Sequence, residues 1–132
     1  MQQHVVTVST KGRGLIDITA QVNALLANVD VGPCNVFVQH TSASLVIQEN
    51  ADPAVRRDLL TFFNKLADHG PYEHDDEGPD DMPAHVKSAL TKTSEVIPIK
   101  QGKLALGTWQ ALYLFEHRDA PHTRRIIITV IH

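Results

Sequence analysis

The sequence predicts an α+β fold: a mainly antiparallel β-sandwich with two or three helices packed to one side. Segments rich in β-branched residues cluster toward both ends of the chain, and a capped amphipathic helix lies near the middle. Strands do not alternate regularly with helices, which argues against a parallel sheet built from crossover units. The chain has 132 residues, 42% of them hydrophobic and 20% charged, with a formal net charge of -3. This describes one soluble globular domain, 1–132, able to bury a core without metal or disulfide staples.

Val5-Val6-Thr7-Val8 reads as the first strand, and Lys11-Gly12-Arg13-Gly14 as a turn whose basic residues could meet an anion. Val22, Leu25, Leu26 and Val29 then recur at helical spacing behind Asp17 or Thr19 as N-cap, giving a short helix that ends before Gly32-Pro33. Residues 35–41 and 44–48 form two strand patterns joined by the small step Thr41-Ser42-Ala43. Asp52-Pro53 opens the clearest helix, because proline at the first helical position loses no hydrogen bond. Its expected buried face is Val55, Leu59, Phe62, Phe63 and Leu66. A short helix beginning near 81–83 carries His85, Val86 and Leu90, which puts Asp81 and His85 on one face. Strands return at 95–100, at 103–117 as one bent strand or two, and at 124–131, with Gly102 and Gly107 marking a turn and a bulge. Alternation sets Glu116 on an otherwise apolar face with Leu112 and Leu114, so it either ends the strand at solvent or points into a pocket.

Several function classes are disfavoured. Arg56-Arg57 and Arg124-Arg125 are the basic pairs, and neither forms the long stripe with aromatics that a nucleic-acid groove requires. No apolar run approaches the eighteen or so residues of a membrane span. The N-terminus runs into a strand pattern rather than a signal peptide's apolar region, and the single Cys34 has no internal partner, so a reducing cytoplasm is expected. Cys34 itself reads as a small buried residue rather than a nucleophile.

Chemistry concentrates in residues 72–85, where His74 and His85 stand among six carboxylates. An acidic run alone is most simply a solvated loop, but imidazoles beside carboxylates are ligands for a divalent cation. His40 heads His40-Thr41-Ser42-Ala43-Ser44 at a strand end, either as a strand histidine held by a hydrogen bond or as part of an anion or metal rim. With His74 and His85 it would complete a three-imidazole set of the kind that holds catalytic zinc, while the carboxylates equally suit magnesium. Of the segment Glu49-Asn50-Ala51-Asp52-Pro53, Asp52 is explained as a cap, leaving Glu49 and Asn50 as site candidates. A serine nucleophile at Ser42 or Ser44 competes, yet no Gly-x-Ser-x-Gly elbow surrounds either one.

Taken in order, these motifs, with Tyr72-Glu73-His74, residues 80–87, Leu106-Gly107-Thr108-Trp109-Gln110, Glu116 and Arg124, resemble the YjbQ-like family, also called the secondary thiamine-phosphate synthase enzyme family. The resemblance implies a homotrimer with a polar pocket and weak transferase activity, joining hydroxymethylpyrimidine diphosphate to thiazole phosphate with release of diphosphate. In that setting the divalent metal, zinc or magnesium, would sit on His40, His74 and His85. Asp81, Gln110 and Glu116 would be the catalytic groups that orient a ligand or move a proton. Thr41, Ser42, Glu49, Asn50, Lys87, Trp109 and Arg124 would bind a small phosphorylated substrate, with Trp109 either stacking on a heteroaromatic ring or packing in the core. No nucleic-acid or membrane partner is implied. A metal-dependent enzyme on another phosphorylated molecule, and a noncatalytic ligand-binding oligomer, are the alternatives.

Overall fold

The computed structural model describes residues 1–68 and 70–132. Two antiparallel sheets pack face to face and three helices accompany them. The strands are β1 (Gln2–Ser9), β2 (Gly14–Asp17), β3 (Val31–Val38), β4 (Ala43–Glu49), β5 (Ser94–Lys100), β6 (Lys103–Leu104), β7 (Gln110–Glu116) and β8 (Thr123–Val130). The helices are α1 (Thr19–Asn23), α2 (Pro53–Ala67) and α3 (Asp81–Leu90). One sheet has the order β1-β8-β3-β5-β6 and the other β2-β7-β4.

Alternation along the strands builds the core. Val6, Val8, Cys34, Val36, Val38, Ile97, Ile99, Ile126, Ile128 and Val130 point from the five-stranded sheet toward Leu45, Leu112 and Leu114 on the three-stranded one. Burying Leu112 and Leu114 contributes about 1.5–3 kcal/mol each. The central strand β7 is covered on both faces. Its other side meets α2, where Phe63 stands edge-on to Phe115 at 5.4 Å and Arg56 donates to the Tyr113 hydroxyl at 3.1 Å.

Several expectations need correction. Gly14, expected to close the turn that starts at Lys11, instead opens a strand not foreseen from the sequence, because 14–17 pair with 113–116 of β7 from Gly14 opposite Glu116 to Asp17 opposite Tyr113. The first helix is only five residues; Leu26 and Val29 are buried through the turns that follow it. The strand expected at 35–41 starts at Val31 and stops at Val38, which leaves His40 outside the ladder. Of the two alternatives for 103–117, two strands is the one found, β6 and β7, and they belong to different sheets. The face of α2 is also rotated: Phe62 is 59% exposed and Leu66 54%, since the helix rests on the stripe through Arg56, Phe63 and Ala67. Its cap is as expected, with the Asp52 carboxylate accepting from the Ala54 N–H at 2.9 Å. Between β5 and β6, Gln101 and Gly102 both adopt positive φ, 53° and 77°, the backbone that a tight two-residue hairpin demands.

Candidate functional site

The first turn of α3 and the preceding loop meet one guanidinium. Arg118 follows β7 and donates from Nε to Asp80 at 2.9 Å, from Nη1 to Asp81 Oδ1 at 2.8 Å and from Nη2 to the Glu77 carbonyl at 2.9 Å. Every nitrogen of the fork is used, so the loop and the helix start are fixed together. Asp80 therefore serves Arg118 rather than capping α3 with its side chain. With Oδ1 of Asp81 committed to Arg118, Oδ2 is turned to the two imidazoles: His74 Nε2 lies 2.7 Å from it and His85 Nε2 3.1 Å. The sequence separation of eleven residues between the histidines is closed by this hook, and the i,i+4 spacing of Asp81 and His85 does the rest.

Hydrogen bonding decides which ring nitrogens are free. His85 Nδ1 is 3.0 Å from the Thr41 carbonyl, an acceptor, so this nitrogen carries the proton. In the neutral ring the Nε2 lone pair then faces a carboxylate oxygen, an arrangement that needs a proton or a cation between them. Ligand atoms of His74, Asp81 and His85 all lie within 4.8 Å of one another, and these three groups could hold a metal. A tetrahedral zinc with bonds of 2.0–2.2 Å separates its ligand atoms by about 3.3 Å, so the two imidazole–carboxylate distances would open slightly to admit it. Thr41 and Arg118 act on the ligands from behind, orienting one imidazole and the carboxylate. Burial pushes the Asp81 carboxyl up, but the His74 hydrogen bond and the charges of His85 and Arg118 outweigh it and hold it below its ordinary value. The hydrogen bond to Asp81 raises His74.

His40 does not join this group, which corrects the three-imidazole expectation. Its Nε2 accepts the Arg125 backbone N–H at 2.8 Å and its Nδ1 lies 3.4 Å from Arg124 Nη1. It does share a groove with His85, Thr41 and Ser88. The acid that completes the set is Asp81, expected as a catalytic group rather than a ligand.

Other expected site residues are spoken for. Glu116 is buried and pairs with Arg124 across the sandwich, bonded from Nε at 2.8 Å and from Nη2, while Thr10 donates to the same carboxylate at 2.6 Å. Burial pushes Glu116 up, yet the bonds from Arg124 and Thr10 and the Arg124 charge outweigh it and hold it below its ordinary value. Neither member of that pair is free to act on substrate. Lys87 is buried too, donating to Asn64 at 2.9 Å and Asp68 at 3.3 Å, with burial and the Arg13 charge lowering its pKa. Ser42 is buried and gives its carbonyl to Arg124. Glu49, Asn50, Trp109 and Gln110 gather at the opposite end of β7 from Glu116, about 20 Å away at 3.3 Å per residue. There Asn50 donates to the carbonyls of Thr108 and Gln110, and Gln110 accepts from the Gly107 N–H. Trp109 is 64% exposed and is not a core residue. Within one chain these four residues cannot reach the histidines. Cys34 is inert, its thiol pushed up to about 11 by burial.

Sequence reasoning missed Arg118, although a cluster of six acids needs a cation and the arginine two residues past Glu116 was available. It also missed His117, a buried imidazole 2.9 Å from the Ser44 hydroxyl and pushed down to about 3 by burial and the Lys87 charge. Nothing in its local sequence signals that environment.

The comparisons with known proteins agree with this architecture. The family model described as "UPF0047 protein YjbQ-like" matches residues 4–132. The chain is 52% identical to UPF0047 protein sll1880 of Synechocystis sp., over 97% of this chain and 90% of that protein. It is 46% identical to UPF0047 protein YjbQ of Escherichia coli O157:H7, over 97% and 96%. The crystal structure of the conserved hypothetical protein TT1486 from Thermus thermophilus superposes with a TM-score of 0.89 at 36% identity, covering 97% of this chain and 99% of that one. That of hypothetical protein APE1520 from Aeropyrum pernix gives 0.89 at 31%, covering 99% and 98%. Matched from end to end in sequence and in fold, the chain belongs to the YjbQ-like UPF0047 family.

Proposed function

We propose that the protein is a metal-assisted enzyme acting on a phosphorylated small molecule, with His74, Asp81 and His85 as the metal ligands. The observation that supports this is the convergence of two imidazole Nε2 atoms on one carboxylate oxygen whose partner oxygen is already held by Arg118. Two nitrogens and one oxygen suit zinc or a similar borderline cation better than magnesium, which prefers oxygen ligands. When bound, such a cation supplies Lewis-acid polarisation of an oxygen ligand and charge neutralisation. Three protein ligands leave a coordination position for that oxygen.

The finer reading is thiamine-phosphate synthase. The thiazole nitrogen would attack the methylene carbon of hydroxymethylpyrimidine diphosphate, and the carbon–oxygen bond would break as diphosphate leaves with its electron pair. The family resemblance supports this reading, with Lys87, Glu116 and Arg124, all buried, acting as scaffold in it rather than as substrate contacts. Assembly as a homotrimer belongs to the same proposal and gives the exposed Trp109 cluster a place at a subunit boundary. Sedimentation mass tests the trimer. Activity is tested by incubating zinc-loaded protein with the two thiamine precursors and with a panel of other phosphorylated metabolites. Turnover lost in His74→Ala and His85→Ala, with unchanged melting, supports the enzyme. Turnover that survives both substitutions refutes it, and turnover confined to other phosphorylated compounds refutes only the synthase reading.

A further inference from the structure

The groove beside the metal triad, about 400 Å³ in volume, is walled by His40, Thr41, His85, Ser88 and Thr93 among others. Its hydrogen-bonding character follows from the groups behind it. The Arg125 backbone N–H can only donate, and it does so to His40 Nε2 at 2.8 Å, at the point where β3 has ended and offers no ladder acceptor. Nε2 is therefore the unprotonated nitrogen of a neutral His40, and Nδ1 carries the hydrogen. Burial and the nearby Arg124 charge lower the His40 pKa and favour that neutral form. Arg124 Nη1, also a donor, lies 3.4 Å from Nδ1. Two donors thus face each other with no acceptor between them among the described residues.

A second, independent observation comes from another lining residue. Ser88 is 92% buried, and its hydroxyl has no partner among the described residues. A buried hydroxyl without a partner is costly and marks a place where something else completes the bonding. None of the described residues lining the groove is acidic, although the chain holds fifteen carboxylates against twelve lysines and arginines. Two donors lacking acceptors and a lining without acidic groups, placed next to a candidate cation site, favour an oxyanion.

We propose that this groove is the phosphoryl subsite, with His40 Nδ1–H and the Ser88 hydroxyl donating to the phosphate oxygens of the substrate. The inference deepens the reading of the site as acting on phosphorylated small molecules and rests on it for the identity of the anion. It replaces Lys87, whose ammonium is committed to Asn64 and Asp68. Several donors among the lining residues suit the oxygens of a tetrahedral phosphoryl group better than the two oxygens of a planar carboxylate.

The test uses metal-free protein, so that it stands apart from the metal reading. Inorganic phosphate is titrated while backbone amide and imidazole nitrogen resonances are followed, with acetate in a parallel series. Saturable shifts at His40, Thr41 and Ser88 are expected, with binding about tenfold weaker in Ser88→Ala and in His40→Ala, the loss of one hydrogen bond to a charged group. Acetate is expected to bind far more weakly. Shifts confined to other surfaces, affinity unchanged in Ser88→Ala, or acetate binding as tightly as phosphate would overturn the proposal. His40→Ala strips the Arg125 N–H of its acceptor and risks misfolding; Ser88→Ala removes a hydroxyl without a partner and keeps the test decisive. Phosphate binding here in a protein whose triad takes up no zinc on loading would sink the metal reading alone, and zinc uptake without phosphate binding would sink the groove alone.

Discussion

Asp81 shows how much of the site depends on the two oxygens of one carboxylate. Oδ1 is held by Arg118 and Oδ2 faces both histidines, so rotation of the carboxylate would cost the Arg118 bond before it relieved the imidazoles. Arg118→Lys keeps the charge but has one nitrogen where three were used. We expect it to weaken zinc binding about 10–100-fold in a chelator competition, with the fold retained. Glu116 has a different task. It is fully buried between the sheets and its removal strands Arg124, so Glu116→Gln is expected to lower unfolding free energy by about 3 kcal/mol in urea titration. Its carboxyl is held below its ordinary value in the fold, so it contributes stability that is present above the unfolded carboxyl's pKa and is lost as pH falls through the lower folded one. Wild-type stability should therefore drop through the acid range, and Glu116→Gln should show a shallower drop.

Among the elements, α2 and α3 were both legible at their starts, for different reasons. Asp52-Pro53 is a local signal, and its cap forms as the sequence implies. Asp52→Ala is expected to cost about 1 kcal/mol without altering the metal site, read as a shift in the urea midpoint. In α3 the i,i+4 pair of Asp81 and His85 followed from helix geometry alone. What failed was everything set by partners distant in sequence. Strand β2 is four residues long and exists by pairing with β7, and Phe62 and Leu66 fit the helical period yet lie off the stripe that α2 packs. His40 was placed with the metal for its residue type, while its position is fixed by the end of β3 and a backbone donor on β8. The acidic loop was recognised from composition, but the residue that folds it, Arg118, sits some forty positions away and carries no local mark.

At the scale of the whole molecule, the sandwich has two polar ends with different contents. One end holds the triad, the His40 groove and the buried Glu116–Arg124 pair; the other holds Glu49, Asn50, Trp109 and Gln110. The core is complete without a cation, since its aliphatic cluster spans both sheets. Metal removal should accordingly leave a folded protein with a lower melting temperature. A ligand at a hundred times its dissociation constant adds about 2.7 kcal/mol, so the difference should scale with free zinc and vanish in His85→Ala. The most direct measurement is elemental analysis of protein purified without chelators or an affinity tag, paired with anomalous diffraction from the same preparation. One divalent ion per chain, bonded at about 2.0–2.2 Å to His74 Nε2, His85 Nε2 and Asp81 Oδ2 with His40 outside its coordination sphere, is the predicted result. A chain free of metal after zinc loading, or an ion bound to His40 and not to Asp81, would contradict it.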